Sequence, residues 1–302
     1  MNRLVTAIFV TAALSLAAGP AHADDAAALF KQGLALKEQG KTDAAIKKLE
    51  EAVAVRAKHG MAWASLGHLY KKKGEMEKAV NAYEQATSIV TKDPVLWSNL
   101  GMAYYRAKRL KDAVEALKTA CRFDRKNPDI HGNLGTIKRQ MGKKKEAIKH
   151  LEMAYKYKSN DSVTANNLGI AYRVDKRYDD AVRTFLAAIK LDPKVAQYHF
   201  NLGVVYRRME EVDKAIGAYQ AAADADPTMA KAWYDLGHMH RLNHNNDKSI
   251  AAFKTYFDLT KDSDPEGAED AAAQIEALGG EALPKATPKK KKKKKGRKGK
   301  KK

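Results

Sequence analysis

Trp63–Ala86 reads WASLGHLYKKKGEMEKAVNAYEQA, and the spacing of its apolar residues decides the fold. Trp63, Leu66, Gly67 and Tyr70 fall on one helical face, a polar stretch containing Gly74 follows, and Ala79, Tyr83 and Ala86 resume the period. Two amphipathic helices joined by a tight turn satisfy that pattern. Shifted by 34 residues the pattern returns: Gly33, Gly67, Gly101, Gly135, Gly169, Gly203 and Gly237 hold one register without a slip. Alanine keeps step at Ala45, Ala79, Ala113, Ala147, Ala181 and Ala215, with Ser249 in the last unit. A large apolar residue follows at Leu49, Tyr83, Leu117, Leu151, Phe185, Tyr219 and Phe253.

A fixed period of this length marks a stack in which each unit buries its apolar face against its neighbours. Glycine inside a helix costs about 1 kcal/mol against alanine, so seven in one register require a packing reason. Close approach of the paired helix supplies it.

The pattern resembles the tetratricopeptide repeat, with its Trp, Leu, Gly, Tyr, Ala, Phe, Ala, Pro positions. Trp63, Leu66, Gly67, Tyr70, Ala79, Tyr83 and Ala86 carry it best, and Ala181, Phe185, Ala188 and Pro193 repeat its second half. His131, Ala165 and His199 depart at the tryptophan position, and the closing proline stands only at Pro193 and Pro227. The resemblance implies an all-α, right-handed superhelical solenoid of seven helical hairpins within 24–263: 26–59, 60–93, 94–127, 128–161, 162–195, 196–229 and 230–263. Residues 264–280 read as a capping helix, with Ala272, Ile275 and Leu278 apolar and Gly279 and Gly280 ending it.

Outside the array lie a leader and a tail. Asn2 and Arg3 precede an apolar run from Leu4 to Ala18, and Ala21, His22 and Ala23 form a small-residue cleavage box. Residues 1–23 therefore read as a signal peptide cleaved after Ala23, too short for a comfortable span, and the mature chain is expected to be periplasmic or secreted. Cys121, the one cysteine, lies deep in a repeat helix, which leaves no internal disulfide and no lipid-attachment site after the leader.

Of the formal net charge of +20, 13 charges sit in 285–302 and one on Arg3, leaving +6 for the array. Residues 281–302 form a lysine-rich tail expected to be disordered, with Lys289, Lys290, Lys291, Lys292, Lys293, Lys294, Lys295, Arg297 and Lys298 as its polyanion-binding residues. An anionic membrane surface or the phosphates of lipopolysaccharide suit such a run. Nucleic acid fits less well, because the tail holds no aromatic side chain on which a base could stack.

Chemistry on the array concentrates on the exposed side of the first helices. Two residues before the repeated glycine stand Asn99, Asn133, Asn167 and Asn201, with Asp235 continuing the row. Four residues after it stand Lys71, Arg139, Arg173, Arg207 and Arg241. A solvated face accounts for the basic residues but not for asparagine, a weak helix former. An amide offers donor and acceptor together, which suits the backbone of an extended peptide, and the arginines then select carboxylates. The resemblance agrees with that reading: the long arrays of O-GlcNAc transferases grip peptide backbone with an asparagine ladder, and the four asparagines here occupy the matching repeat position.

His238, His240 and His244 are the one candidate metal cluster, but no third ligand of secure geometry follows from spacing. No nucleophile, base and orienting acid share a catalytic spacing, and Gly142-Lys143-Lys144 lacks the rest of a phosphate loop. The chain thus reads as a non-catalytic scaffold of the cell envelope with no cofactor. Its expected partner is a protein or peptide ligand of acidic character. The alternative is a polyanion or nucleic-acid binder acting through the tail, with the array a passive carrier.

Overall fold

The computed structural model describes residues 20–286, which form fifteen α-helices and no strand. The chain divides between Arg125 and Lys126 into two compact units. In the first, α1 (Pro20–Glu38) pairs with α2 (Thr42–Val55), α3 (Gly60–Lys73) with α4 (Met76–Ile89), and α5 (Pro94–Arg106) with α6 (Leu110–Phe123). In the second, α7 (Pro128–Gln140) pairs with α8 (Lys144–Tyr157), α9 (Ser162–Val174) with α10 (Tyr178–Leu191), α11 (Ala196–Arg208) with α12 (Val212–Ala225), and α13 (Ala230–Leu242) with α14 (Asn246–Thr260). Within each unit the second helix of a hairpin also packs on the first helix of the next, and α15 (Pro265–Ala277) closes the second unit against α14.

Local chemistry sets the helix ends. Asp93 and Asn127 accept backbone N–H groups at the starts of α5 and α7, where Pro94 and Pro128 take the first helical position. Asp161 and Asp264 cap α9 and α15 in the same way. The turn inside each hairpin needs one left-handed residue. Gly40, Gly74 and Gly142 take it without a steric penalty, whereas Lys108, Lys176, Glu210 and His244 hold positive φ at the equivalent places.

The repeated glycines are where paired helices meet. A Cβ at Gly203 would lie 2.7 Å from the ring of Tyr219, and one at Gly135 would lie 2.5 Å from Leu151 Cγ. Every glycine of the register faces the large apolar residue 16 positions on, and all seven of those residues are fully buried. Substituted positions keep their slots by other chemistry. Ser249, in the alanine column, donates from Oγ to the Gly237 carbonyl at 2.8 Å. Lys138, in the tyrosine column, is buried along its stem and reaches Glu146 at 2.6 Å.

Further bonds tie each first helix to its surroundings. The hydroxyls of Tyr70, Tyr104 and Tyr172 donate to Glu50, Glu84 and Glu152 on the preceding hairpin. Indole N–H groups of Trp63, Trp97 and Trp233 each reach a carbonyl six residues back. His199 takes the same carbonyl, that of Pro193, at 2.9 Å, so the imidazole replaces the indole in function. His131, at the same position of its hairpin, is buried with its Nδ1 3.1 Å from Nδ1 of His150.

Two predictions follow from this packing. Gly135→Ala should lower stability by about 1–3 kcal/mol through overpacking against Leu151. Gly132→Ala, in the same helix with open space around the new methyl, should raise it by up to about 1 kcal/mol. Denaturant unfolding of the two variants checks the pair, and equal shifts would contradict the close-approach role. The second concerns His150, which burial, and then the neighbouring His131 ring, hold from its ordinary 6.5 down to about 4. The unfolded chain then takes up this proton first, so stability is present above pH 6.5 and lost as pH falls toward 4. His150→Leu should remove that part of the decline in unfolding curves recorded across the window.

Candidate functional site

The first helices α7, α9 and α11 touch in turn along the second unit, which brings their recurrent polar positions side by side. Asn133 and Asn167 are partly exposed, and neither amide makes a hydrogen bond with any described residue. Donor and acceptor are both open to a ligand. Asn99, in the first unit, is partly exposed as well.

Asn201 departs from the row. It is buried, its Nδ2 donates to Asn166 Oδ1 at 2.8 Å, and its own Oδ1 accepts from Gln197 at 3.0 Å. That amide bonds neighbouring helices and is not available to a groove. Asp235 is likewise committed, accepting from Arg207 Nη1 at 2.9 Å. Burial raises the Asp235 carboxyl above its usual range, while Arg207 pulls it back. Arg241 donates to Gln274 on α15 at 2.6 Å. So three predicted ligands, Asn201, Asp235 and Arg207, bond to other residues of the array, and Arg241 serves the closing helix.

The pair Arg207–Asp235 gives the rule of neighbourhood on this face. The basic position of one hairpin meets the amide or acid position of the next. By the repeat, Arg139 stands beside the position of Asn167 and Arg173 beside that of Asn201, and neither asparagine carries charge. Lys71 in the first unit precedes Asn99 in the same relation, and burial, followed by the charge of Arg106, lowers its ammonium below the ordinary value. The result in the second unit is a set of cations without counter-charge. Arg139, Arg173 and Arg208 have no carboxylate partner among the described residues.

Arg173 is the most constrained of them. Its Nε is buried without a hydrogen-bond partner. Burial, then the charges of Arg139 and Arg208, hold its guanidinium below the usual range. Tyr219 points its hydroxyl into the same field; burial raises its pKa, with Asp235 adding to the shift and Arg207, Arg173 and Arg208 opposing it. That hydroxyl is buried beside Asp235 yet meets no partner in hydrogen-bond geometry. A cavity of about 370 Å³ opens here, lined by Arg173, Val174, Lys176, Tyr178 and Arg208.

Arg208, Asn166 and Tyr219 escaped the sequence reading. The 34-residue column of Arg208 is broken, with Lys72 and Arg106 basic but Gln140, Val174 and Leu242 not. Asn166 stands one residue before its row, and Tyr219 was legible only as core.

The histidines of the last hairpin do not converge. His238 packs against the rings of Tyr234 and Phe253, His240 is buried with Nδ1 unpartnered, and His244 holds the left-handed turn. Among the described residues no group of three or more His, Cys, Asp or Glu side chains is placed to hold a metal ion. Lys289 to Lys295, Arg297 and Lys298, and the leader up to residue 19, lie outside the described residues. Among the described residues no helix is long and apolar enough to cross a membrane.

Residues 6–230 match the family profile described as the C-terminal domain of cilia and flagella-associated protein 70, a tetratricopeptide-repeat profile. Residues 200–268 match the tetratricopeptide repeat itself. A comparison with curated proteins finds no match. Among solved structures, the C-terminal part of a repeat protein from Cytophaga hutchinsonii is similar, with TM-score 0.66 and 18% identity over 80% of this chain and 98% of that one. A tetratricopeptide repeat protein from Parabacteroides merdae gives TM-score 0.62 and 14% identity over 85% and 99%. YrrB, described as a TPR protein with an unusual peptide-binding site, gives 0.53 and 23% over 61% and 95%.

Proposed function

Because the chain belongs to the tetratricopeptide-repeat family, we propose that it is a non-catalytic interaction scaffold that receives an extended, acidic peptide segment along α7, α9 and α11. One observation carries this reading. The amides of Asn133 and Asn167 are accessible and unbonded beside arginines that no carboxylate neutralises. A helix face made only for solubility has no use for unbonded asparagines, which weaken helices. Free amides can instead pair with the backbone of a strand-like ligand, and Arg139 and Arg173 add charge-assisted bonds to its acids. Peptide is also the class of ligand that the description of YrrB gives for that protein.

We place the mature protein outside the cytoplasm on the strength of the leader. Cleavage after Ala23 leaves the buried Ala26 within the mature chain. The tail then extends the scaffold's reach to anionic surfaces of the envelope.

Two measurements test these readings. Against an array of extended peptides, the wild-type protein should retain acidic members, and Asn133→Ala with Asn167→Ala should cut retention about tenfold while leaving the melting curve intact. Equal retention by the double variant would reject the groove. The intact mass of protein recovered from the envelope should correspond to a chain beginning at Asp24, and a mass that includes residues 1–23 would reject the export reading.

A further inference from the structure

The three cations Arg139, Arg173 and Arg208 ask for more negative charge than a carboxylate brings. Two of them, Arg173 and Arg208, line the cavity of about 370 Å³ together with Lys176 and Tyr178. Arg173 on α9 and Arg208 on α11 meet at this cavity, and the charges of Arg139 and Arg208 both disfavour the charged form of Arg173. Arg207, next in sequence to Arg208, shows what relieves such a charge here, since Asp235 pairs with it directly. Among the described residues no carboxylate does the same for Arg173.

A buried donor is also left over on a residue that lines this cavity, Arg173 Nε–H. An unpaired buried donor is costly, and one on a cavity-lining residue describes an acceptor position that a ligand can fill. A carboxylate offers two oxygens and one negative charge. A phosphomonoester offers three terminal oxygens and nearly two charges at neutral pH, with a geometry that planar guanidinium groups match in pairs. The cavity is wide enough for such a group and polar where it must be.

We infer that the cavity lined by Arg173, Arg208 and Lys176 binds a phosphomonoester dianion carried on the peptide segment held by this face. The inference rests on the peptide reading above, and it adds a specific anchor at one point of the ligand. Charge complementarity fixes the register of the bound segment: a phosphorylated side chain seats among the arginines, and the backbone on one side of it reaches the amides of Asn133 and Asn167. Lys176, held at a left-handed turn, projects from the loop that closes the cavity between α9 and α10.

The experiment compares three ligands with the full chain at constant ionic strength: an extended acidic peptide with a central phosphoserine, the same peptide with serine, and inorganic phosphate. The phosphoserine form should bind about tenfold or more tightly than the serine form, measured by calorimetry. Arg173→Gln with Arg208→Gln should bring the two peptides to equal affinity, costing the phosphoserine form about tenfold more than the serine form, which loses only the bond of Arg173 to its acids. Asn133→Ala with Asn167→Ala should weaken both peptides equally. Equal affinity for the two peptides, or an undiminished preference in the double glutamine variant, overturns the phosphoryl site and leaves the groove standing. Failure of both peptides to bind, with a phosphate-dependent rise in melting temperature that the glutamine variant loses, removes the groove and keeps the anion site.

Discussion

The contact on which the array depends is a bare backbone against a large side chain. Where Gly203 meets Tyr219, or Gly135 meets Leu151, even one added methyl would fall inside van der Waals range of the partner. Paired helices therefore lie close enough for the alanine columns, such as Ala147, Ala181 and Ala215, to be wholly buried. Helices held at this distance leave no room for variation in how a hairpin closes, and successive hairpins within a unit consequently repeat one geometry. The recurrence of polar side chains along a face is a product of that uniformity. Asparagine at a 34-residue spacing becomes a row only because each hairpin presents it at the same angle.

Within each unit, polar contacts between hairpins then fix how one hairpin turns on the next. Apolar packing alone is tolerant of small rotations. The buried bond from Asn201 to Asn166 is not, since breaking it strands an amide away from water at a cost of about 1–3 kcal/mol. The tyrosine-to-glutamate bonds from Tyr70, Tyr104 and Tyr172 act at the other end of the same helices, and burial with the adjoining carboxylate raises Tyr104 and Tyr172 to about 12. Those phenols stay neutral donors at neutral pH.

The hairpins, their period and their packing positions were legible in the sequence because a packing rule repeated seven times averages out local exceptions. Even exceptions kept their slots: His199 reaches the carbonyl a tryptophan would take, and Ser249 bonds where alanine would only pack. The candidate site was legible in part. Periodicity names a face, and Asn133, Asn167, Arg139 and Arg173 lie on it. It does not say which member of one hairpin touches which member of the next. That relation runs from Arg207 to Asp235, across 28 residues and not 34, and so it turns two predicted ligands into partners of each other. Asn201 was misread for the same reason, because Asn166, one place out of register, captures it.

The same offset explains why charge accumulates at one place. A stack in which every basic position met an acid at the next hairpin would be neutral along its length, as it is between α11 and α13. Between α9 and α11 the corresponding residue is Asn201, whose amide is already occupied, so the charges of Arg139 and Arg208 act on Arg173 with no carboxylate partner for it among the described residues. Replacing Asn201 by aspartate would neutralise Arg173 but forfeit the donor that holds Asn166, leaving a buried acceptor unpaired. The sequence therefore has two demands at residue 201, a neutral donor for the stack and a negative charge for the arginines, and a single side chain meets only the first. The second is left to whatever binds.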